Sequence, residues 1–290
     1  MSPGPHRTGD FTRGRDGTAG DALVILPPGP TALLRALDRV FAGWGTAAGA
    51  DEILPPPLYP VSDLEKFDVY ANFPHLALAA APLDLEHGGG KPEAGRFRPG
   101  DLRGARLGLP HATCYGAYLY YEDTRLPGDT LVTLVNRCFR HEDHYDGLRR
   151  LLSFQMREIV ALGSFEHTQR VVTRFAEVIT DFAGALGLPL DKQAATDPFF
   201  EADGARALLA RLSPVKYEFQ AGGLAIASVN THRNFFGERC GIRLAPDGGH
   251  AFTSCVAFGL ERWVAVLLDH HGRDAARALD AVERAAGEVS

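Results

Sequence analysis

The sequence feature that most constrains the fold is residues 136–163, which read as two strands joined by a charged loop. Because side chains alternate across a strand, Cys138, Arg140 and Glu142 share one face of the first strand. The residues that share one face of the second strand are Arg150, Leu152, Phe154, Met156 and Glu158. If the strands pair as a hairpin, both sets lie together. Such a face suits a nucleotide, because guanidinium groups bind phosphate and an aromatic ring stacks on a base. The alternative is a charged hairpin exposed to solvent.

Composition narrows the class of protein. The 290 residues can bury a full core, and 45% hydrophobic with 23% charged residues is typical of a soluble globular protein. The net charge of −6 disfavours a general nucleic-acid-binding protein, which normally has a basic excess. No apolar run of about twenty residues predicts a membrane span. Residues 1–20 lack the apolar core of a signal peptide. We therefore expect a cytoplasmic protein.

The remaining chain predicts helices and further strands around the hairpin. Residues 1–20 are predicted to be a disordered leader, residues 21–290 a single domain, and residues 86–101 a flexible exposed insertion. Helices are predicted at residues 30–43, 62–70 (opened by a capping box of Ser62 and Glu65), 164–187, 259–272 and 273–286, and strands at 112–125, 216–230 and 252–258. There is no glycine-rich phosphate loop, and strands outnumber βαβ units. The pattern indicates an α+β fold, an antiparallel sheet flanked by helices, in which side chains hold any nucleotide.

The four cysteines are spread along the chain as Cys114, Cys138, Cys240 and Cys255. None belongs to a CxxC pair, which argues against a zinc ribbon or a thioredoxin motif. Disulfides are not expected in a reducing cytoplasm. An isolated cysteine is most often a small buried hydrophobic residue, and this is the alternative for each of them.

Two segments together resemble the catalytic core of class II aminoacyl-tRNA synthetases. The run Phe139-Arg140-His141-Glu142, with Arg150, Phe154 and Glu158 after the loop, resembles motif 2, and Gly259-Leu260-Glu261-Arg262 resembles motif 3. The resemblance implies a class II core that binds ATP, with Arg140 and Arg262 as the catalytic residues. The implied ATP contacts are Arg140 on the α-phosphate, Glu142 on the adenine amine, Arg150 (or Arg149 in its place) on the far phosphates, Phe154 stacked on adenine, and Arg262 on the other side of the base.

A second set of residues, Cys114, Glu158 and Cys255, is similar to the zinc site of the atypical seryl-tRNA synthetases of methanogens. It also resembles that of their truncated bacterial relatives, the amino acid:[carrier protein] ligases. The resemblance implies Zn²⁺ held by two thiolates and a carboxylate, with the fourth position open for the amine of the substrate. The alternative is that both cysteines are core residues and that Glu158 pairs with Arg157 or Arg140. Cys138 and Cys240 match no ligand position.

The resemblance covers roughly residues 51–272, with no counterpart of an added tRNA-binding domain. It therefore implies a ligase that activates a small amino acid, such as glycine or alanine, as an aminoacyl-adenylate. The second step transfers it to the phosphopantetheine thiol of a carrier protein, without tRNA as a partner. Class II cores usually pair through motif 1, so a homodimer is expected. The alternatives are a seryl-type enzyme that charges tRNA and a non-catalytic synthetase-like regulator.

Several positions depart from the family pattern or stay open. The stretch before motif 3 has no carboxylate for Mg²⁺, so Glu218 or Glu238 would substitute, or the ATP phosphates alone would hold the ion. Glu218, Asn230 and His232 are candidate substrate-pocket residues, although Asn230 and His232 could equally stabilise a loop or lie on the surface. A carrier protein is expected to be acidic. Arg170 and Arg174 on the long helix are candidates for its dock, unless they form an ordinary solvated helix face.

Overall fold

A seven-stranded sheet is the centre of the computed structural model, which describes residues 13–14, 22–87, 90–195, 215–245 and 248–289. In spatial order its strands are β10 (Asp191–Ala195), β11 (Lys216–Ala221), β12 (Leu224–Arg233), β14 (Phe252–Gly259), β9 (Ser153–Gly163), β8 (Thr130–Phe139) and β3 (Asp51–Ile53). All neighbours are antiparallel except β3, which runs parallel to β8 at the edge. The predicted α+β fold with an antiparallel sheet is confirmed.

Four long helices cover one face of the sheet. They are α1 (Pro28–Ala47), α5 (Phe165–Ala185), α7 (Leu260–His270) and α8 (Ala275–Glu288). Their apolar stripes and the sheet form the main core, where the Phe41 ring stacks on Phe258 with centroids 4.2 Å apart and Trp263 is fully buried. Ser164 caps α5 as predicted, because its hydroxyl accepts a hydrogen bond from the His167 N–H at 3.2 Å. None of the helices in the described ranges is long and apolar enough to cross a bilayer.

The opposite face of the sheet carries short elements and a second core cluster that includes Tyr115, Tyr118 and Phe236. The short helices are α2 (Val61–Lys66), α3 (Val69–Asn72), α4 (Tyr115–Tyr120) and α6 (Phe235–Arg239). The short strands are β1 (Arg13–Gly14) beside β2 (Leu23–Val24), β4 (Tyr59–Pro60), β5 (Leu78–Ala80) and β6 (Leu107–Leu109) in one small sheet, and β7 (Arg125–Leu126) beside β13 (Arg243–Leu244). Because these elements are short, this face keeps open cavities above the sheet.

One predicted strand and one predicted helix cap are wrong. Residues 112–125 contain helix α4 where a strand was expected, because Tyr115 and Tyr118 lie one helical turn apart and both enter the second core cluster. The capping box of Ser62 and Glu65 is absent: α2 starts at Val61 after Pro60, with no side-chain cap, and ends at Lys66. Of the predicted leader, residues 1–12 and 15–20 lie outside the described residues, and Arg13–Gly14 pairs in parallel with Leu23–Val24.

The central hairpin is confirmed. β8 and β9 pair in antiparallel register, with Cys138 opposite Phe154 and Asn136 opposite Met156. The strands stop short of the predicted loop-side residues, since β8 ends at Phe139 and β9 begins at Ser153, while β8 starts earlier than predicted, at Thr130. Arg140 continues the ladder by one bond, from its N–H to the carbonyl of Leu152 at 2.9 Å. The charged residues 140–150 therefore lie in the connecting loop at the end of the sheet.

Candidate active site

The first half of the site is a buried cluster of three potential metal ligands. Cys255 on β14 and Glu158 on β9 lie on neighbouring strands, and Cys114 directly precedes α4. The ligand atoms of Cys114, Glu158 and Cys255 all lie within 4.8 Å of one another. The three residues are only 5%, 1% and 3% exposed, respectively. The structure therefore brings together the three residues that were predicted from sequence.

Hydrogen bonds to Glu158 indicate why the cluster fits a cation. Its Oε1 accepts hydrogen bonds from the backbone N–H groups of Thr113 at 2.9 Å and Cys114 at 3.1 Å. Its Oε2 is buried and has no hydrogen-bond partner among the described residues. A buried polar atom without a partner is costly, and a bound cation would satisfy it. Two thiols and a carboxylate are also a donor set that suits Zn²⁺.

Crowding of three acidic groups makes the cluster retain protons. Burial raises the pKa of Glu158 above its ordinary value. The hydrogen bond with Cys114, followed by burial, raises the pKa of Cys255 well above its ordinary value. For Cys114 the hydrogen bond with Cys255 is the largest influence and lowers the pKa, but burial and the Glu158 carboxylate outweigh it and raise the pKa overall. A divalent cation would displace these protons and remove the repulsion between the ligands.

The predicted pocket residues Asn230 and His232 lie beside this cluster. The Asn230 amide Nδ2 is 3.3 Å from the Cys255 Sγ. The His232 Nε2 is 3.7 Å from the same sulfur, and its Nδ1 is 3.1 Å from the Tyr118 hydroxyl. Both residues line a cavity of about 480 Å³ above the sheet, which also reaches all three potential ligands. The structure therefore places both partly buried residues in the wall of the cavity that reaches the cluster.

The second half of the site is an arginine-rich cavity at the end of the hairpin. The Arg140 guanidinium lies 5.0 Å from the centre of the Phe154 ring and donates to the His111 carbonyl at 3.1 and 3.3 Å. Glu142 and Arg150 form an ion pair of 2.6 Å at the wall of the same cavity. The predicted aromatic, acidic and basic residues are therefore adjacent, although Arg140, Glu142 and Arg150 lie in the loop and not on the alternating strands.

Arg262, at the start of α7, closes this cavity from the other side. Its side chain donates to the carbonyl oxygens of Arg149 at 2.9 Å and Ala225 at 3.0 Å. Burial, and then the charges of Arg140 and Arg150, lower the pKa of Arg262 to about 10. The part of this lowering that comes from Arg140 and Arg150 reflects guanidinium groups held close together without enough negative charge. An anion bound between these guanidinium groups would relieve their repulsion.

Of the remaining predicted residues Arg149, Glu218 and Glu238, only the first two line the arginine-rich cavity among the described residues. The Arg149 side chain points to Asp269, with which it forms an ion pair of 2.8 Å, although Arg149 also lines the arginine-rich cavity. Glu218 lines this cavity and pairs with Lys216 at 3.2 Å. Glu238 lies on α6 and is absent from the residues that line either cavity. Of these two carboxylates, Glu218 is thus the one that could contact a molecule bound in the arginine-rich cavity.

Sequence reasoning missed several residues that hold the site together. His111 positions Arg140 through its carbonyl, and Thr113 positions Glu158 through its N–H. The segment was interpreted as part of a strand, which hid this arrangement. Glu261, 4% exposed, accepts a hydrogen bond from the Gln155 N–H at 2.8 Å and so joins α7 to β9. Its place next to Arg262 was the signal that could have identified it.

Solved structures with a similar fold define the fold class of the protein. The seryl-tRNA synthetase of M. kandleri, in complex with A. aeolicus tRNASec, matches 90% of this chain with a TM-score of 0.73 at 20% identity. The seryl-tRNA synthetase of Pyrococcus horikoshii, complexed with ATP, matches 86% with a TM-score of 0.64 at 15% identity. The chain spans 56% and 53% of those two structures. The fold is that of a class II aminoacyl-tRNA synthetase core.

Sequence relatives define the family within that class. The chain is 31% identical over 243 residues to "Amino acid--[acyl-carrier-protein] ligase 1" of Bradyrhizobium diazoefficiens, and the match covers 78% of this chain and 73% of that protein. No protein-family model matches the chain. At this identity and coverage, the chain belongs to the amino acid–[acyl-carrier-protein] ligases.

Proposed function

We propose that this chain activates a small amino acid with ATP as an aminoacyl-adenylate and transfers it to the phosphopantetheine thiol of a carrier protein. The observation that carries the proposal is the adjacency of the two half-sites. The cavity with Cys114, Glu158 and Cys255 and the arginine-rich cavity share Arg140 and Met156 in their walls. An amino acid in one and ATP in the other would meet at that boundary. Membership of the ligase family supports the carrier protein as the acceptor.

In the first step, a carboxylate oxygen of the amino acid attacks the α-phosphorus of ATP. The bond from that phosphorus to the bridging oxygen breaks, and pyrophosphate leaves with the electron pair. Arg140 and Arg262 bind the charge that develops on the α-phosphate. The other ATP contacts are Glu142 to the adenine amine, Phe154 stacked on the base, and Arg150 or Arg149 on the far phosphates. The 2.6 Å ion pair between Glu142 and Arg150 opens when ATP enters.

In the second step, the carrier thiol attacks the carbonyl carbon of the adenylate, and AMP leaves with the electron pair of the broken C–O bond. The thiol proton is released to solvent. No general base is evident for either step, so positioning of the reactants supplies much of the rate. The ATP phosphates would hold Mg²⁺, and Glu218, which lines the same cavity, would be a candidate ligand.

In this proposal the buried cluster selects the amino acid. Cys114, Glu158 and Cys255 would hold Zn²⁺, which would supply an open coordination position for a free α-amine. Asn230 and His232 orient the rest of the substrate, since both contact the Cys255 sulfur. The orphaned Oε2 of Glu158 is the observation that favours a metal over a plain core.

An amino-acid-dependent pyrophosphate-exchange screen over all amino acids tests the proposal. We expect exchange with one or two small amino acids, followed by loading of a holo carrier protein and no charging of total tRNA. The fold likeness to seryl-tRNA synthetases favours tRNA charging as the second candidate. Charged tRNA without a loaded carrier would establish that candidate. A zinc-loaded protein that shows no pyrophosphate exchange, whichever amino acid is supplied, would indicate a non-catalytic regulator.

The proposal includes a cytoplasmic homodimer. Four free cysteines fit a reducing compartment. At the sheet edge, β3 has a free side in the described part of the chain, and Leu54 directly after it is 85% exposed. The proposed pairing of two chains takes place along this exposed edge. Light scattering of the wild type and of Leu54→Glu tests this, and a wild-type monomer at micromolar concentration would contradict it.

The carrier dock on α5 stays a prediction with limited support. Arg170 is 66% exposed and forms a 3.4 Å ion pair with Asp129, and the Arg174 guanidinium lies 5.7 Å from the centre of the Phe175 ring. Both cations are thus on the surface of the helix. Replacing both by serine should raise the KM for the carrier and leave pyrophosphate exchange unchanged.

A further inference from the structure

Sheet register places Lys216 in line with the buried cluster. Lys216 begins β11 and lies opposite Asn230 of β12, which lies opposite Cys255 of β14. Residues directly opposite one another share a face of the sheet. Two strand spacings separate the backbones of Lys216 and Cys255 by roughly 10 Å. The long Lys216 side chain therefore lies on the face that carries both half-sites.

Lys216 also lies at the boundary between the two cavities. Five residues line both cavities, and among these described residues the charged ones are Arg140 and Lys216. The Lys216 ammonium pairs with Glu218 at 3.2 Å, and the two side chains are 17% and 25% exposed. Glu218 belongs to the row of the sheet that contains Glu158. The boundary thus holds a fixed, mostly buried ammonium group.

The proposed reaction needs positive charge at this boundary. It brings together a carboxylate and an α-phosphate, two anions that repel each other before the bond forms. Arg140 reaches the boundary from the hairpin side, and Lys216 reaches it from β11, on the other side of β12 and β14. Cations on both sides would offset the repulsion as the anions approach.

We infer that Lys216 is a further catalytic residue, whose ammonium binds the amino acid carboxylate and an α-phosphate oxygen while the new C–O–P linkage forms. This inference rests on the proposed function. Lys216 stays protonated throughout, and the electron pair of the broken bond leaves on pyrophosphate. Glu218 is a positioning residue that holds the ammonium at the boundary until both substrates are bound.

Pyrophosphate exchange with Lys216→Met tests the inference. We expect kcat to fall roughly 10- to 100-fold, the usual loss for a charge-assisted contact, with KM for ATP unchanged. Lys216→Arg should recover most of the rate because it keeps the charge. Lys192→Met is the matched control: Lys192 is an exposed lysine on the neighbouring strand β10, and it contacts the rings of Tyr217 and Phe219 on the opposite face of the sheet.

Melting curves and zinc content separate a catalytic from a structural role, because a structural role would lower both without changing kcat per folded molecule. If Lys216→Met does not fold, Lys216→Gln takes its place in the same assay. A folded, neutral Lys216 variant with wild-type kcat and wild-type KM for the amino acid would overturn the inference. Absence of exchange in the wild type with every amino acid would instead overturn the proposed function.

Discussion

Glu158→Gln is the substitution that most directly tests the buried cluster. Glutamine has the same shape, so its Oε1 can still accept the N–H groups of Thr113 and Cys114. The change removes the anionic Oε2, which has no hydrogen-bond partner in the described part of the chain. It therefore deletes one metal ligand while it preserves the hydrogen bonds that the fold uses. We expect it to abolish metal binding without unfolding the protein.

The magnitude follows from linkage between metal binding and folding. A metal present at about 1,000 times its Kd stabilises the native state by roughly 4 kcal/mol. For a domain of this size, that stability corresponds to about 10 °C in Tm. Wild type treated with a strong chelator should lose this increment, whereas Glu158→Gln should melt at the same temperature with and without chelator. Scanning calorimetry, with elemental analysis for about one zinc per chain in the wild type, measures both quantities.

Burial of Glu158 predicts which of the two chelated proteins, wild type or Glu158→Gln, melts at the higher temperature. Because the pKa of Glu158 is raised in the fold, its protonated form stabilises the protein at low pH, and that stability is lost as pH rises through the folded pKa. At pH 8 the chelated wild type carries this loss and Glu158→Gln does not, so the variant should melt at least as high. Glu261→Gln is the matched control, a buried glutamate away from the cysteines, and should keep the zinc increment. Equal increments in wild type and Glu158→Gln would refute the assigned role.

Two further predictions concern stability. Burial raises the pKa of Glu261 to about 7, so the wild type should lose stability as the pH rises from 5 to 8. Glu261→Gln should avoid about 2 kcal/mol of that loss. Urea unfolding measures both pH profiles, and parallel profiles of wild type and variant would contradict the prediction. Arg157, 2% exposed, is held by Asp38 at 2.8 and 3.0 Å and by Glu52 at 2.7 Å. Asp38→Ala should cost about 3 kcal/mol because it strips a buried guanidinium of its bidentate partner. Glu52→Ala, at a side chain 53% exposed, should cost no more than about 1 kcal/mol, and equal losses would refute the ranking.

Alternation was sufficient to predict the central hairpin. A period of two places Cys138, Phe154, Met156 and Glu158 on one face, and the register of β8 and β9 confirms it. The same rule could not fix the ends of the strands. Past the single ladder bond from Arg140 to Leu152, both strands stop, because the N–H of His141 donates to the carbonyl of Leu76 and the N–H of Leu152 donates to the carbonyl of Ala22.

Residues 112–125 show where local pattern fails. Four tyrosines in this stretch have high strand propensity, yet Tyr115 and Tyr118 pack together beneath α6 as one helical turn. Tertiary packing overrides propensity here, because a helix lets Cys114 approach β14 while both rings stay buried. The prediction of Cys114 as a ligand rested on the resemblance of Cys114, Glu158 and Cys255 to a known zinc site and not on the secondary structure expected around it.

What sequence could not reveal is that backbone groups orient the side chains of both half-sites. The His111 carbonyl fixes Arg140, and the N–H groups of Thr113 and Cys114 fix Glu158. Every residue has a carbonyl, and every residue except proline has an N–H, so no residue type marks these positions. The four residues 111–114 thus contact Arg140 of the arginine-rich cavity at one end and Glu158 of the buried cluster at the other. Because the segment is so short, we expect a shift of Glu158 or Cys114 to reach the peptide that holds Arg140.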